Sequence, residues 1–203
     1  MTFEIPVGLN IPQDTECLPR LTHSLVEATA PSIPLFWFVG AHGGAGTTTL
    51  AATMAPAGDA GHYWPEKEKY PVTILTARST LSGITQLDTH LREAAARKTT
   101  CGVIGVLLIA DSPQPWPKVV AHTWKSLRPL AEAIGAHMWT LPFISELRDN
   151  LPTELAVWEP GDNQDQRKRF SKAPSLTQRP HSAIAALGEE ITAYALTYLK
   201  ENT

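Results

Sequence analysis

The chain has 203 residues, 43% hydrophobic and 18% charged, with a net charge of −3 and an isoelectric point near 6.2. That length suits one domain burying roughly two-thirds of its unfolded surface, and the acidic balance argues against a general nucleic-acid binder, whose domain is normally basic. Two cysteines, Cys17 and Cys101, match no metal spacing and suggest a reducing cytoplasm without a disulfide framework. The seven histidines have no i, i+4 pair, and no apolar run approaches the roughly 20 residues of a membrane span.

Residues 1–30 mix Pro6, Pro12, Pro19 and Gly8 with polar side chains and read as an extended N-terminal arm, with Leu21, Leu25 and Val26 as part of a short helix. The apolar run Leu35-Phe36-Trp37-Phe38-Val39 then breaks into Gly40-Ala41-His42-Gly43-Gly44-Ala45-Gly46-Thr47-Thr48-Thr49 and continues as Leu50-Ala51-Ala52. This is the pattern of a buried strand, a glycine-rich turn and the first turn of a helix. Glycines let a backbone approach a ligand, and a helix start presents unpaired N–H groups that attract anions, phosphate above all. Against the P-loop pattern G-x-x-x-x-G-K-[ST], Gly46 and Thr48 fall in register, Ala41 holds the first glycine position and Thr47 stands where the lysine belongs. The alternative is a tight strand-to-helix turn that binds nothing. Without the lysine charge, fast phosphoryl transfer is not expected, because that reaction rests on positioning and electrostatic stabilisation.

Pro56 to Tyr70 is expected to be a loop, with Asp59 either a magnesium ligand beside Thr48 or a surface acid, and Trp64 its anchor. Val72 to Gly83 reads as a strand running into a helix. Ser82, a candidate N-cap, opens a helix to Arg97 with Ile84, Leu87, Leu91 and Ala95 at helical spacing. Val103 to Ile109 has the continuous apolar run of a parallel strand buried on both faces. It is followed by the rigid Pro113-Gln114-Pro115-Trp116-Pro117 loop. One helix carries Val120, Trp124, Leu127, Ala131 and Ile134 and stops at Gly135; Met138 to Leu141 makes another strand. Asp162 to His181 is polar, with Arg167-Lys168-Arg169, Phe170 and Lys172. A final helix spans Ser182 to Leu199, burying Ile184, Leu187, Ile191, Tyr194 or Ala195, and Tyr198. The alternation of strands and helices predicts an α/β fold, a doubly wound, mainly parallel sheet with helices on both faces. The expected organisation is an arm at 1–30, a P-loop-like α/β domain at 31–160, a basic linker or loop at 161–181 and a C-terminal helix at 182–203 packing on the domain. Ligands of such sheets sit beyond the carboxyl ends of the strands. The glycine loop, Arg78 and Asp111 gather there. Arg78 supplies either a phosphate-binding charge or a solvated helix start; Asp111 binds metal or ribose, or caps the next turn.

His42-Gly43-Gly44-Ala45-Gly46-Thr47-Thr48 resembles the deviant P-loop of the ParA/MinD class of ATPases, K-G-G-x-G-K-[ST]-T, with His42 in place of the signature lysine and Thr47 in place of the P-loop lysine. The resemblance continues in Val72–Gly83, in Gly102–Asp111 and in the Leu141–Arg148 segment, three stretches in family order. In a second register Val106 to Asp111, followed by Ser112-Pro113, is itself the Walker B strand. The overall pattern also resembles a group of actinobacterial proteins with a lysine-less GAHGGAG-type loop. The resemblance implies a shortened, degenerate P-loop NTPase-like protein. Its candidate nucleotide-binding residues are His42, Gly43, Gly44, Ala45, Gly46, Thr47, Thr48, Thr49 and Arg78. Thr48 and Asp59 are its candidate magnesium ligands, with ATP or ADP as cofactor and a protein partner or a second copy as partner; nucleic acid has weak support. Regulatory or adaptor action with slow or absent hydrolysis is the first reading. An active ATPase that uses Arg78 or a partner residue is the second, and a purely structural interaction module the third.

Overall fold

The computed structural model describes residues 8–20, 33–66, 72–99, 101–162 and 174–202. Five strands, β1 (Phe36–Gly40), β2 (Ala57–Asp59), β3 (Val72–Arg78), β4 (Gly102–Ile109) and β5 (His137–Leu141), form one sheet in the order β2-β1-β3-β4-β5, and every neighbouring pair is parallel. Parallel pairing requires crossovers, and the helices that supply them cover both faces. One face packs Trp37, Val39, Leu75 and Leu108 against α2 (Leu81–Ala95), α3 (Lys118–Ser126) and α4 (Arg128–Ala133) through Ile84, Leu87, Leu91, Trp124 and Ala131. The other packs Phe36, Phe38, Ile74 and Leu107 against α1 (Thr47–Thr53) and α5 (Ser182–Asn202) through Leu50, Ile184 and Ile191. This is the doubly wound α/β architecture expected from the alternating pattern.

Three expectations need correction. Pro56 to Tyr70 is not all loop, because Ala57–Asp59 pairs with β1 as an edge strand. Its signal is hidden by Gly58, which is there because a Cβ would lie 2.4 Å from the Trp37 ring. The single helix through Val120 and Ile134 is two, broken at Leu127, since Pro129 near the start of α4 has no N–H to continue the ladder. The cap of α2 is Thr80, whose hydroxyl accepts from Gly83 N–H at 3.0 Å, rather than Ser82. Of the two alternatives left open in α5, Ala195 is the buried one, and the exposed Tyr194 donates its hydroxyl to Gly135 C=O.

Part of the N-terminal arm is docked. Leu18 is buried, Arg20 bridges Trp64, and Lys98 reaches Pro12 C=O and the Asp14 carboxylate. The short helix expected at Leu21, Leu25 and Val26 and the basic run Arg167-Lys168-Arg169 with Phe170 and Lys172 lie outside the described residues. Among the described residues no helix is long and apolar enough to cross a membrane.

Candidate functional site

The chain leaves β1 toward β2 on one side and resumes from β3 toward β5 on the other, so its direction of winding reverses between β1 and β3. At such a switch point adjacent loops diverge and leave a crevice at the carboxyl ends of the strands. The glycine loop after β1 and Arg78 at the end of β3 occupy this place.

The loop is built from backbone. Gly44 (φ +77°) and Gly46 (φ +99°, the N-cap of α1) take left-handed conformations closed to most side chains. Ala41 N–H donates to Thr76 C=O, Ala45 N–H to His42 C=O and Leu50 N–H to Gly46 C=O. Gly40 is held from the β2 side: its N–H donates to Gly61 C=O at 2.7 Å, and His62 Nδ1 donates to its C=O at 2.6 Å. The first-turn amides of α1, around Thr47, Thr48 and Thr49, have no partner within the helix.

His42 bridges the two strand ends. Arg78 N–H donates to His42 Nε2 at 3.1 Å, so the imidazole proton sits on Nδ1, which donates to Gly43 C=O at 2.9 Å. Both ring nitrogens are used inside the protein. Gly83 allows the close fit, because a Cβ there would lie 2.5 Å from Arg78 C=O and 3.0 Å from His42 Nε2.

The three threonines diverge. Thr47, at the lysine position, is 8% exposed. Exposed Thr48 donates its hydroxyl to Asp59 Oδ2 at 2.6 Å, and Asp59 Oδ1 accepts from Gly61 N–H at 2.8 Å. Thr49 faces a cavity of about 90 Å³ that Gly46, Leu50, Ile109, Leu141 and Arg78 also line. The expected magnesium pair, Thr48 and Asp59, is thus brought together, and its hard oxygen donors suit that ion. Among the described residues no three His, Cys, Asp or Glu side chains could hold a metal, so magnesium there would need oxygens from a ligand or water.

Arg78 reaches Ala110 C=O at 3.4 Å and borders the same cavity. Asp111 engages through its backbone, its N–H donating to Ser79 Oγ at 2.9 Å. Arg148, on the 3-10 turn Ser145–Arg148 that follows β5, also lines this cavity and stands over the Phe143 ring at 5.0 Å. Sequence pattern does not single it out; its only signal is its place at the end of the Leu141–Arg148 segment. A second, polar cavity of about 320 Å³ lies under the docked arm between Cys17, His62, Gln86 and His90. Burial, then the Glu93 carboxylate, pushes the Cys17 thiol above its ordinary range, opposite to what a reactive thiolate needs.

Compared with known protein families, curated proteins and solved structures, the chain has no match in any of the three.

Proposed function

We propose that this chain is a degenerate, ParA/MinD-like P-loop protein that binds the phosphates of ATP or ADP, hydrolyses them slowly or not at all, and works as a regulatory or adaptor subunit toward a protein partner or a second copy of itself. One observation carries the reading: the glycine loop lies at the switch point of a parallel sheet with its left-handed glycines in place and no cation within it. Backbone amides can hold phosphate oxygens without a lysine. Thr48 and Asp59 would hold magnesium, Thr48 by giving up its hydrogen bond to Asp59. Stabilising the charge of a transferring phosphoryl group is worth a few kcal/mol per contact, about a hundredfold or more in rate, and a neutral loop forgoes it.

The test is calorimetric titration with ATP and ADP, with and without magnesium, on the native chain and on Gly43→Trp. A Cβ at Gly43 meets nothing within 4 Å, so the indole can stand over the loop without disturbing its folding, unlike one at Gly46, where a Cβ would lie 3.1 Å from Ile109. Micromolar binding lost in Gly43→Trp supports the reading. Silence up to millimolar nucleotide refutes it and leaves the loop as a structural turn. The active-ATPase reading draws on the place of Arg78 beside Gly46; it requires magnesium-dependent turnover that Arg78→Gln abolishes.

A further inference from the structure

We infer that Arg78 and Arg148 form a two-cation pocket for a doubly charged phosphate group, where the end of β3 and the turn after β5 meet the helix side of the glycine loop at Gly46 and Thr49. It rests on the preceding reading only in taking the ligand to be phosphorylated.

Arg78 and Arg148 line one cavity of about 90 Å³. Among the described residues neither is ion-paired with a carboxylate, although Arg92, Lys98 and Arg128 are. On the same turn the Glu146 carboxylate accepts from Ser145 Oγ–H at 2.9 Å. Two like charges sharing a cavity with no acid between them repel, and the repulsion is relieved by an anion seated there. Charge balance selects the anion: a phosphate monoester carries close to two negative charges at neutral pH, whereas a carboxylate carries one.

Geometry agrees. Phe143 covers one face of the Arg148 guanidinium, which leaves the in-plane N–H fork free, and that fork matches phosphate oxygens bidentately. Arg78 is steadied by Ala110 C=O through one nitrogen. Leu50, Ile109 and Leu141 form an apolar floor that lowers the local dielectric and strengthens both contacts. The cavity is well below the roughly 300 Å³ of a site that encloses an organic ligand, so it takes a head group while the rest of the molecule stays outside.

The experiment titrates the full chain at low salt and pH 7.5 with phenyl phosphate and, as the singly charged control with the same ring, benzoate. Variants are Arg148→Gln, Arg78→Gln, Arg78→Lys and Gly43→Trp. Arg148 is exposed, so its replacement leaves the fold intact, and circular dichroism checks the rest. The expected result is phenyl phosphate binding that weakens about tenfold or more in Arg148→Gln and Arg78→Gln. Arg78→Lys recovers part of the loss, benzoate binds more weakly, and Gly43→Trp leaves binding unchanged. Unaltered affinity in Arg148→Gln overturns the pocket, as does equal affinity for benzoate. Binding lost in Gly43→Trp but kept in Arg148→Gln moves the anion to the loop, which refutes this inference while sparing the nucleotide reading. Phenyl phosphate binding that needs both arginines, in a chain silent to ATP and ADP, does the reverse.

Discussion

Glu93 is a carboxylate 1% exposed, and replacing it with leucine tests how the docked arm and the loop are held. Its oxygens accept from Trp64 Nε1–H at 2.7 Å, Leu18 N–H at 3.1 Å and His90 Nδ1–H at 3.2 Å. Leucine fills similar space but orphans two donors in residues with almost no water access, Trp64 at 0% and Leu18 at 4% exposed. Each orphan costs about 1–3 kcal/mol, and His90 can turn toward the neighbouring polar cavity, so it adds little. Relief of a buried charge offsets part of this, leaving a net loss of about 2–4 kcal/mol out of a typical 5–15. With a urea slope of about 1–3 kcal/mol per molar, the unfolding midpoint should drop by about 1–2 M, read by tryptophan fluorescence and circular dichroism together. Glu93→Gln keeps one acceptor and should lose about half as much. The effect reaches the site, because Trp64 N–H is tied to Pro19 C=O, while Gly61 and His62 just before it fix Gly40 at the base of the glycine loop. A Glu93→Leu midpoint within 0.3 M of the native one, on the same scale of about 1–3 kcal/mol per molar, would refute the reasoning.

Other consequences are equally direct. Gly105→Ala places a Cβ 2.0 Å from the Trp139 ring inside the core and should cost about 1–3 kcal/mol in chemical unfolding, or more; a neutral result would mean that the indole can move freely. Gly83→Ala pushes Arg78 C=O and His42 apart and should lower both thermal stability and phenyl phosphate affinity, whereas Gly43→Ala should change neither. Burial raises the Cys101 thiol from an ordinary 9.0 to about 12, so a thiol reagent at pH 8 should label Cys17 slowly and Cys101 only on unfolding. By linkage, a group whose pKa is raised in the folded state keeps its contribution intact below its unfolded value, so the Cys101 contribution is whole below pH 9 and fades as pH climbs toward 12. Stability measured across that window should fall less steeply in Cys101→Ala. Asp14, held low by its hydrogen bond from Lys98 and then by that charge, acts in the opposite direction: its contribution is present above the ordinary 3.8 and is lost as pH falls through its lowered value. Asp14→Asn should therefore reduce the acid sensitivity of arm docking, followed by proteolysis of the arm.

How much the chain disclosed in advance depended on whether the signal was local. Periodicity located β1, β3, β4, β5, α2 and α5, because each buries a face or a whole strand and must repeat its apolar residues accordingly. It failed at β2, a three-residue edge strand with a glycine at its centre, where the deciding fact is the Trp37 ring on the neighbouring strand. The same arrangement recurs at Gly105 under Trp139 and Gly188 under Trp158. In each, the glycine is explained by a tryptophan distant in sequence, which no window reveals. The Thr48–Asp59 contact was legible because the loop and the acid lie 11 residues apart. Arg148 was not, because only the parallel packing of β5 beside β4 brings its turn to the cavity that Arg78 borders.

The two positions at which the resemblance called for lysine behave differently from lysine and from each other. His42 locks β1 to β3 through a bond from Arg78 N–H, and Thr47 is withdrawn to 8% exposure. A P-loop lysine shapes the loop and grips the phosphate in one side chain. In this chain the loop is fastened by uncharged hydrogen bonds, while the cations stand at the end of β3, at Arg78, and on the turn after β5, at Arg148. Loop integrity and anion binding therefore become separable. Bonds among neutral partners are nearly indifferent to ionic strength, whereas attraction to the arginines is screened within about 10 Å at 0.1 M salt. Raising salt should strip an anion from the arginine rim long before it disturbs the glycine turn, and a ligand gripped by loop amides alone would show the weaker salt dependence of the two.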